Sequence, residues 1–117
     1  MSQSCIKVTY NRFPEIAAKL PNACKDVVRK TAFDCQAAAK AELYEGHGVD
    51  TGLLKSGINT EFNDGGLQAI VAPHTEYGIY VELGHHSFPG YFYMTKAAES
   101  VRGAFMSAMK QLEGRLR

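Results

Sequence analysis

Three of the four histidines, His74, His85 and His86, fall in one stretch that also holds Glu76 and Glu82. Imidazoles and carboxylates are the usual ligands of zinc and the usual general bases of hydrolases, so metal or acid-base chemistry would be built here. The spacing argues against it. On a helix Glu82 and His86 would share a face at i, i+4, but Gly84 lies between them and no His-Glu-x-x-His pattern is present. On an extended chain His85 and His86 would point to opposite sides. Paired carboxylates such as Glu76 and Glu82 do acid-base work only if a fold brings them into one cleft. No Gly-x-Ser-x-Gly elbow accompanies the histidines. Gly46-His47-Gly48 follows a helical pattern and lacks a Gly-Lys-Ser/Thr ending, so it reads as a loop and not a phosphate cradle. The sequence therefore predicts no catalytic residue, no cofactor and no metal. A small metal-dependent hydrolase using the 74–86 segment stays as the alternative.

The same stretch makes better sense as an interaction loop. Tyr77 and Tyr80 sit beside Ile79 and Val81, Glu82 is surrounded by aromatics and histidines, and Gly84 with Pro89-Gly90 shapes the exit. Aromatics are enriched where protein surfaces meet. A Glu82 carboxylate anchored among these groups would fix the loop from 84 to 91.

Composition narrows the alternatives. The chain has 117 residues, 45% of them apolar and 21% charged, which fits one globular domain over 1–117. No apolar run approaches the roughly 20 residues of a membrane span, and no signal peptide is legible, so the expected setting is a cytoplasm with no membrane partner. Thirteen Lys and Arg against twelve Asp and Glu, interspersed, give a net charge of +1. That disfavours a nucleic-acid-binding module dependent on a phosphate-neutralising patch, the second alternative. Cys5, Cys24 and Cys35 form no Cys-x-x-Cys pair. Cys24 and Cys35 are placed about 16 Å apart along one helix, too far for a disulfide, and read as small core residues.

The elements that must position the loop are legible in order. Residues 5–10 alternate as a short half-buried strand. Phe13 to Leu20 reads as one or two helical turns, with Pro21 forcing a break. From 22 to about 45 the chain favours helix, with a stripe at Cys24, Val27, Val28, Cys35, Ala38, Ala39 and Leu43. Leu54, Ile58, Thr60 and Phe62 line one face of a strand, Asn63-Asp64-Gly65-Gly66 signals a hairpin turn, and 67–72 returns. Residues 75–83 read as a short helix capped by Thr75. From about 92 to 115 an amphipathic helix carries Met94, Ala97, Ala98, Val101, Ala104, Phe105, Ala108, Met109 and Leu112 at three- and four-residue steps. The expected fold is α+β: a small antiparallel sheet with a hairpin packed against a long N-terminal helix and a C-terminal amphipathic helix.

In this order of parts, Asp50-Thr51-Gly52-Leu53-Leu54 before the hairpin and Tyr77-Gly78-Ile79-Tyr80-Val81-Glu82-Leu83-Gly84 after it resemble the two motifs of a phage family. These are the small head-tail joining or tail-completion proteins of long-tailed phages, the gene-product-ten-like tail components. His85-His86 stand where that family continues with Thr, and Phe92-Tyr93-Met94 where it has Pro-Phe-Met. The resemblance implies a non-enzymatic virion protein, assembled in the bacterial host cytoplasm, that forms a homo-oligomeric ring at the neck or upper tail. Its implied partners are copies of itself, the tail tube or tail terminator, and head-closure or neck proteins, with phage DNA passing close by. The candidate contact residues are Tyr77, Tyr80, Glu82, His85, His86, Phe88, Pro89 and Tyr91 of the loop, with Asp50 and Leu53 of the first motif.

Overall fold

The computed structural model describes residues 8–41, 57–73, 84–85, 88–89 and 93–116. Helix α1 spans Phe13–Lys19 and α2 spans Pro21–Ala41. Strands β1 (Ile58–Asn63) and β2 (Gln68–Pro73) form an antiparallel hairpin, and β3 (Gly84–His85) pairs with β4 (Phe88–Pro89) in a second, two-stranded sheet. Helix α3 spans Tyr93–Gly114. The fold is α+β with a hairpin laid on a helical pair. The expected helix over 75–83 and residues 5–7 of the expected first strand fall outside the described residues.

Local chemistry accounts for the boundaries. Pro14 occupies the first turn of α1, where its missing N–H is not needed. Pro21 keeps Leu20 out of helical geometry, at φ −131° and ψ 62°, which ends α1. The Cys24 N–H still donates to the Leu20 carbonyl at 3.0 Å, so α2 restarts at once from Pro21. Val8, Thr9 and Tyr10 are not in a strand. The Tyr10 carbonyl instead accepts the Phe13 N–H at 2.9 Å and leads into α1, while Val8 and Tyr10 pack against the helical core.

The hairpin register runs from Ile58 opposite Pro73 to Asn63 opposite Gln68. Its turn is a 3₁₀ stretch, Asp64–Gly66, in which Asp64, Gly65 and Gly66 all have positive φ (55°, 65° and 98°). Two glycines after an aspartate supply that run with little strain. Ile58, Thr60 and Phe62 face α2 as their alternation predicts. Ile58 is fully buried, the Thr60 hydroxyl donates to Gln36 Oε1 at 2.6 Å, and the Phe62 ring meets Phe33. Gly66 lies against the Lys25 stem, so the hairpin tip points toward the start of α2.

Two clusters make the core. Ile16, Ala17 and Cys24 pack with Phe105, Met109 and Leu112, and Ala39 packs with Ile58 and Ala97. The first joins the start of α2 to the end of α3 and the second the reverse, so the helices run antiparallel. Small residues recur among the buried positions, Ala32 and Ala39 on α2 and Ala97 and Ala98 on α3, beside the larger Val28, Phe105, Met109 and Leu112. Met94, Val101 and Ala108 of the predicted α3 stripe are half-buried, whereas Ala104 is exposed. Cys24 is buried and Cys35 half-buried, both as free thiols whose pKa burial pushes upward.

Candidate functional site

The loop that the sequence nominates is anchored at one end of the molecule. Residues 41, 57, 73 and 93 all sit where α2 ends and α3 begins, around the Ala39, Ile58 and Ala97 cluster. Within the loop, β3 and β4 bring His85 opposite Phe88 and Gly84 opposite Pro89. These two pairs form a short antiparallel ladder, and in a two-stranded sheet both strands are edges, where a proline is tolerated. Tyr77, Tyr80, Glu82, His86, Tyr91, Asp50 and Leu53 lie outside the described residues, as do His47 and His74. Among the described residues no group of three His, Cys, Asp or Glu converges on one point.

The described surface has two features that sequence reasoning missed. The first is an aromatic pair: Phe33 of α2 and Phe62 of β1 meet edge to face, with ring centroids 5.7 Å apart and planes at 70°, yet are 48% and 39% exposed. Phe33 stands on the polar side of the α2 stripe among Lys30 and Asp34, and that misplacement was the available signal. Ion pairs flank it on the same helix, Arg29 to Asp26 and Lys30 to Asp34, each at 2.7 Å. Exposed pairs of this kind add little stability but leave the rim of the patch electrically neutral.

The second is a clasp across the molecule. Glu113, in the last turn of α3, accepts the Tyr10 hydroxyl at Oε1 (2.5 Å) and the Arg12 guanidinium at Oε2 (2.7 Å). Arg12 also forks onto Glu15. The Glu113 side chain is only 17% exposed, so its two donors substitute for much of its water. The hydrogen bond to Glu113 raises the Tyr10 pKa above the usual phenol value, with burial adding to the effect. Arg12 in turn lowers the Glu15 pKa. Residues a hundred positions apart are not paired by any local pattern, so nothing in the sequence hinted at the contact.

Two open clefts lie beside these elements, one lined by Phe13, Pro14, Ala17 and Leu67 and the other by Tyr10, Arg12, Met106 and Glu113. The second holds the Tyr10–Glu113 hydrogen bond, which raises the phenol pKa and keeps it protonated. What the described geometry provides is shape, exposed aromatic surface and a clasped helical frame.

The family model for the bacteriophage HK97-gp10-like tail component matches residues 8–84. The match runs from the clasp residues through α1, α2 and the hairpin to the first residue of β3. No curated protein and no solved structure matches the chain.

Proposed function

The chain belongs to the HK97-gp10-like family of phage tail components, and from that premise we propose that its copies close into a ring at the head-proximal end of the tail and help join the tail to the filled head. The observation that carries this reading is the family match over residues 8–84, which includes both the Asp50-Thr51-Gly52 motif and the Tyr77 to Gly84 motif. In a ring each copy repeats one heterologous contact around a closed axis. The 74–91 loop is the proposed partner surface, with Tyr77, Tyr80, Glu82, His85, His86, Phe88, Pro89 and Tyr91 as contacts and Asp50 and Leu53 beside them. The pairing of His85 with Phe88 supports this, because a loop stiffened by its own backbone loses less entropy on docking. Further copies, the tail tube or terminator and the head-closure or neck proteins are the partners, and DNA passing nearby is touched without being read. The protein acts by fit, with no bond made or broken.

The test is genetic and microscopic. Disrupting the gene in the phage that encodes it leaves filled heads and finished tails side by side in the lysate, and adding the purified protein joins them. Normal numbers of joined particles without the protein, or turnover of a substrate by the purified chain, would overturn the reading.

A further inference from the structure

One face of α2 is laid out symmetrically about a single residue. Asp26, Phe33 and Lys40 are spaced by seven residues, and seven residues carry an α-helix to within about 20° of two full turns. The three therefore stand in line, on the side of α2 turned away from the buried Cys24, Val28, Ala32 and Ala39. A carboxylate lies seven positions before Phe33 and an ammonium seven positions after it. At 1.5 Å per residue each charge is about 10 Å from Phe33 along the helix axis.

The middle of this face is apolar and wet. Phe33 is about half exposed, and the Phe62 ring that meets it from β1 is exposed as well. The other charges on the face are Arg29, Lys30 and Asp34. Arg29 donates to Asp26 at Oδ1 and Lys30 to Asp34 at Oδ2, so each of these carboxylates has a second oxygen to offer. Lys40 makes no ion pair among the described residues. Turning a helix end for end about Phe33 exchanges each position with the one equally far on the other side. A second copy laid antiparallel on this face brings its Lys40 opposite Asp26 and its Asp26 opposite Lys40, with the two pairs of rings between them. In that register position 29 meets 37, 30 meets 36 and 34 meets 32, where the second residue is alanine or glutamine, so no charge faces its own sign. Laid parallel, the copies would set Asp26 against Asp26 and Lys40 against Lys40.

We propose that this face of α2 is a docking surface for a second copy of the chain, packed antiparallel about a two-fold axis at Phe33. Charge complementarity names the occupant, because the same face presents both signs at equal distances from its aromatic centre and so matches itself when reversed. The contact is isologous and closes at two copies. It is therefore separate from the repeated contact of a ring and does not rest on that reading. A strip along the 21 residues of α2 is about 30 Å long and about 10 Å wide. That is less than the roughly 800 Å² each partner buries in a standard interface, so the pairing is weak and is read at high protein concentration.

The experiment is sedimentation equilibrium of the purified full chain at low salt, with protein raised to about 1 mM. A monomer-dimer equilibrium is expected, with no larger species. Asp26→Lys and Lys40→Glu, each checked for an unaltered helical spectrum, set like charges together twice and weaken dimerisation about tenfold. Mixing the two variants restores pairing, because each supplies the sign the other lacks at both ends, and the Asp26→Lys/Lys40→Glu double variant pairs with itself again. Phe33→Ala, changed at an exposed position outside both core clusters, also weakens dimerisation about tenfold. A chain that stays monomeric at 1 mM would overturn the proposal. So would assembly beyond two copies through this face, dimers indifferent to Phe33→Ala or to the single reversals, or mixed variants that fail to pair. Presence of the protein in purified virions is scored separately, so failure here leaves the tail-component reading standing.

Discussion

Replacing Ile58 with alanine isolates how the hairpin is held. Ile58 is the one fully buried side chain that the hairpin contributes among the described residues, and it sits between Ala39 of α2 and Ala97 of α3. Isoleucine to alanine removes three carbons, which at about 0.8 kcal/mol each is about 2.4 kcal/mol of lost transfer energy. Ala39 and Ala97 cannot reach into the gap, and Cys35, Val71 and Met94 around the cluster close it only in part, so a cavity term adds to this and the expected loss is about 3 kcal/mol. In a domain whose total stability is of order 5–15 kcal/mol this is a large share, and the melting temperature falls by about 10 °C. The loss is also directional. The Ile16, Cys24, Phe105, Met109 and Leu112 cluster does not include Ile58, so in native-state hydrogen exchange the amides of 58–73 lose protection before those of α3 beyond Phe105. Met109→Ala, of similar size in the other cluster, is expected to loosen both helices and the hairpin together. An Ile58→Ala loss below 1 kcal/mol, or uniform deprotection of hairpin and helices, would refute the assignment of hairpin docking to this residue.

Glu113→Gln removes the charge that Tyr10 and Arg12 share, and should return the Tyr10 phenol toward its ordinary pKa in an ultraviolet titration compared with a Tyr10→Phe control. The sign follows from the direction of each shift: the Tyr10 contribution is present below about pH 10 and disappears as pH rises through the elevated value, whereas the Glu15 contribution is present above about pH 4.5 and disappears as pH falls. A double-mutant cycle of Phe33→Ala and Phe62→Ala, followed by urea denaturation, should give a coupling of about 0.5 kcal/mol, the low end for aromatic pairs because both rings are partly wet. Cys24 should resist thiol reagents until unfolding, and Cys24→Ser should cost about 1–3 kcal/mol by leaving a hydroxyl in an apolar cluster. Glu82→Ala should reduce assembly into particles more than it lowers the melting temperature, and equal losses of both would count against a loop-fixing role for Glu82.

The helices and hairpin were legible because each depends on a pattern with a short period. Pro21 marked the break after Leu20, the Asp64-Gly65-Gly66 run marked the turn, and three- and four-residue spacing marked α3. The pattern failed where burial depends on a neighbour. Ala104 fits the α3 stripe but faces no partner, and Phe33 breaks the α2 stripe because β1 lies beside it. The loop from 84 onward was read as irregular, but two residue pairs at Gly84–His85 and Phe88–Pro89 suffice to bridge it, and no periodicity can announce a strand two residues long.

Helix α3 lies beyond the segment that matches the family, yet Ala97, Phe105, Met109 and Leu112 complete both clusters. As the polypeptide leaves the ribosome, Ile16 and Cys24 must therefore stay wet while some ninety more residues are made, and the hairpin has no closed seat until Ala97 arrives. The core closes over long distances in sequence, which slows folding. The unit that folds is larger than the unit that resembles its relatives, and a fragment cut at the edge of the likeness would expose the apolar face of α2 instead of forming a smaller protein.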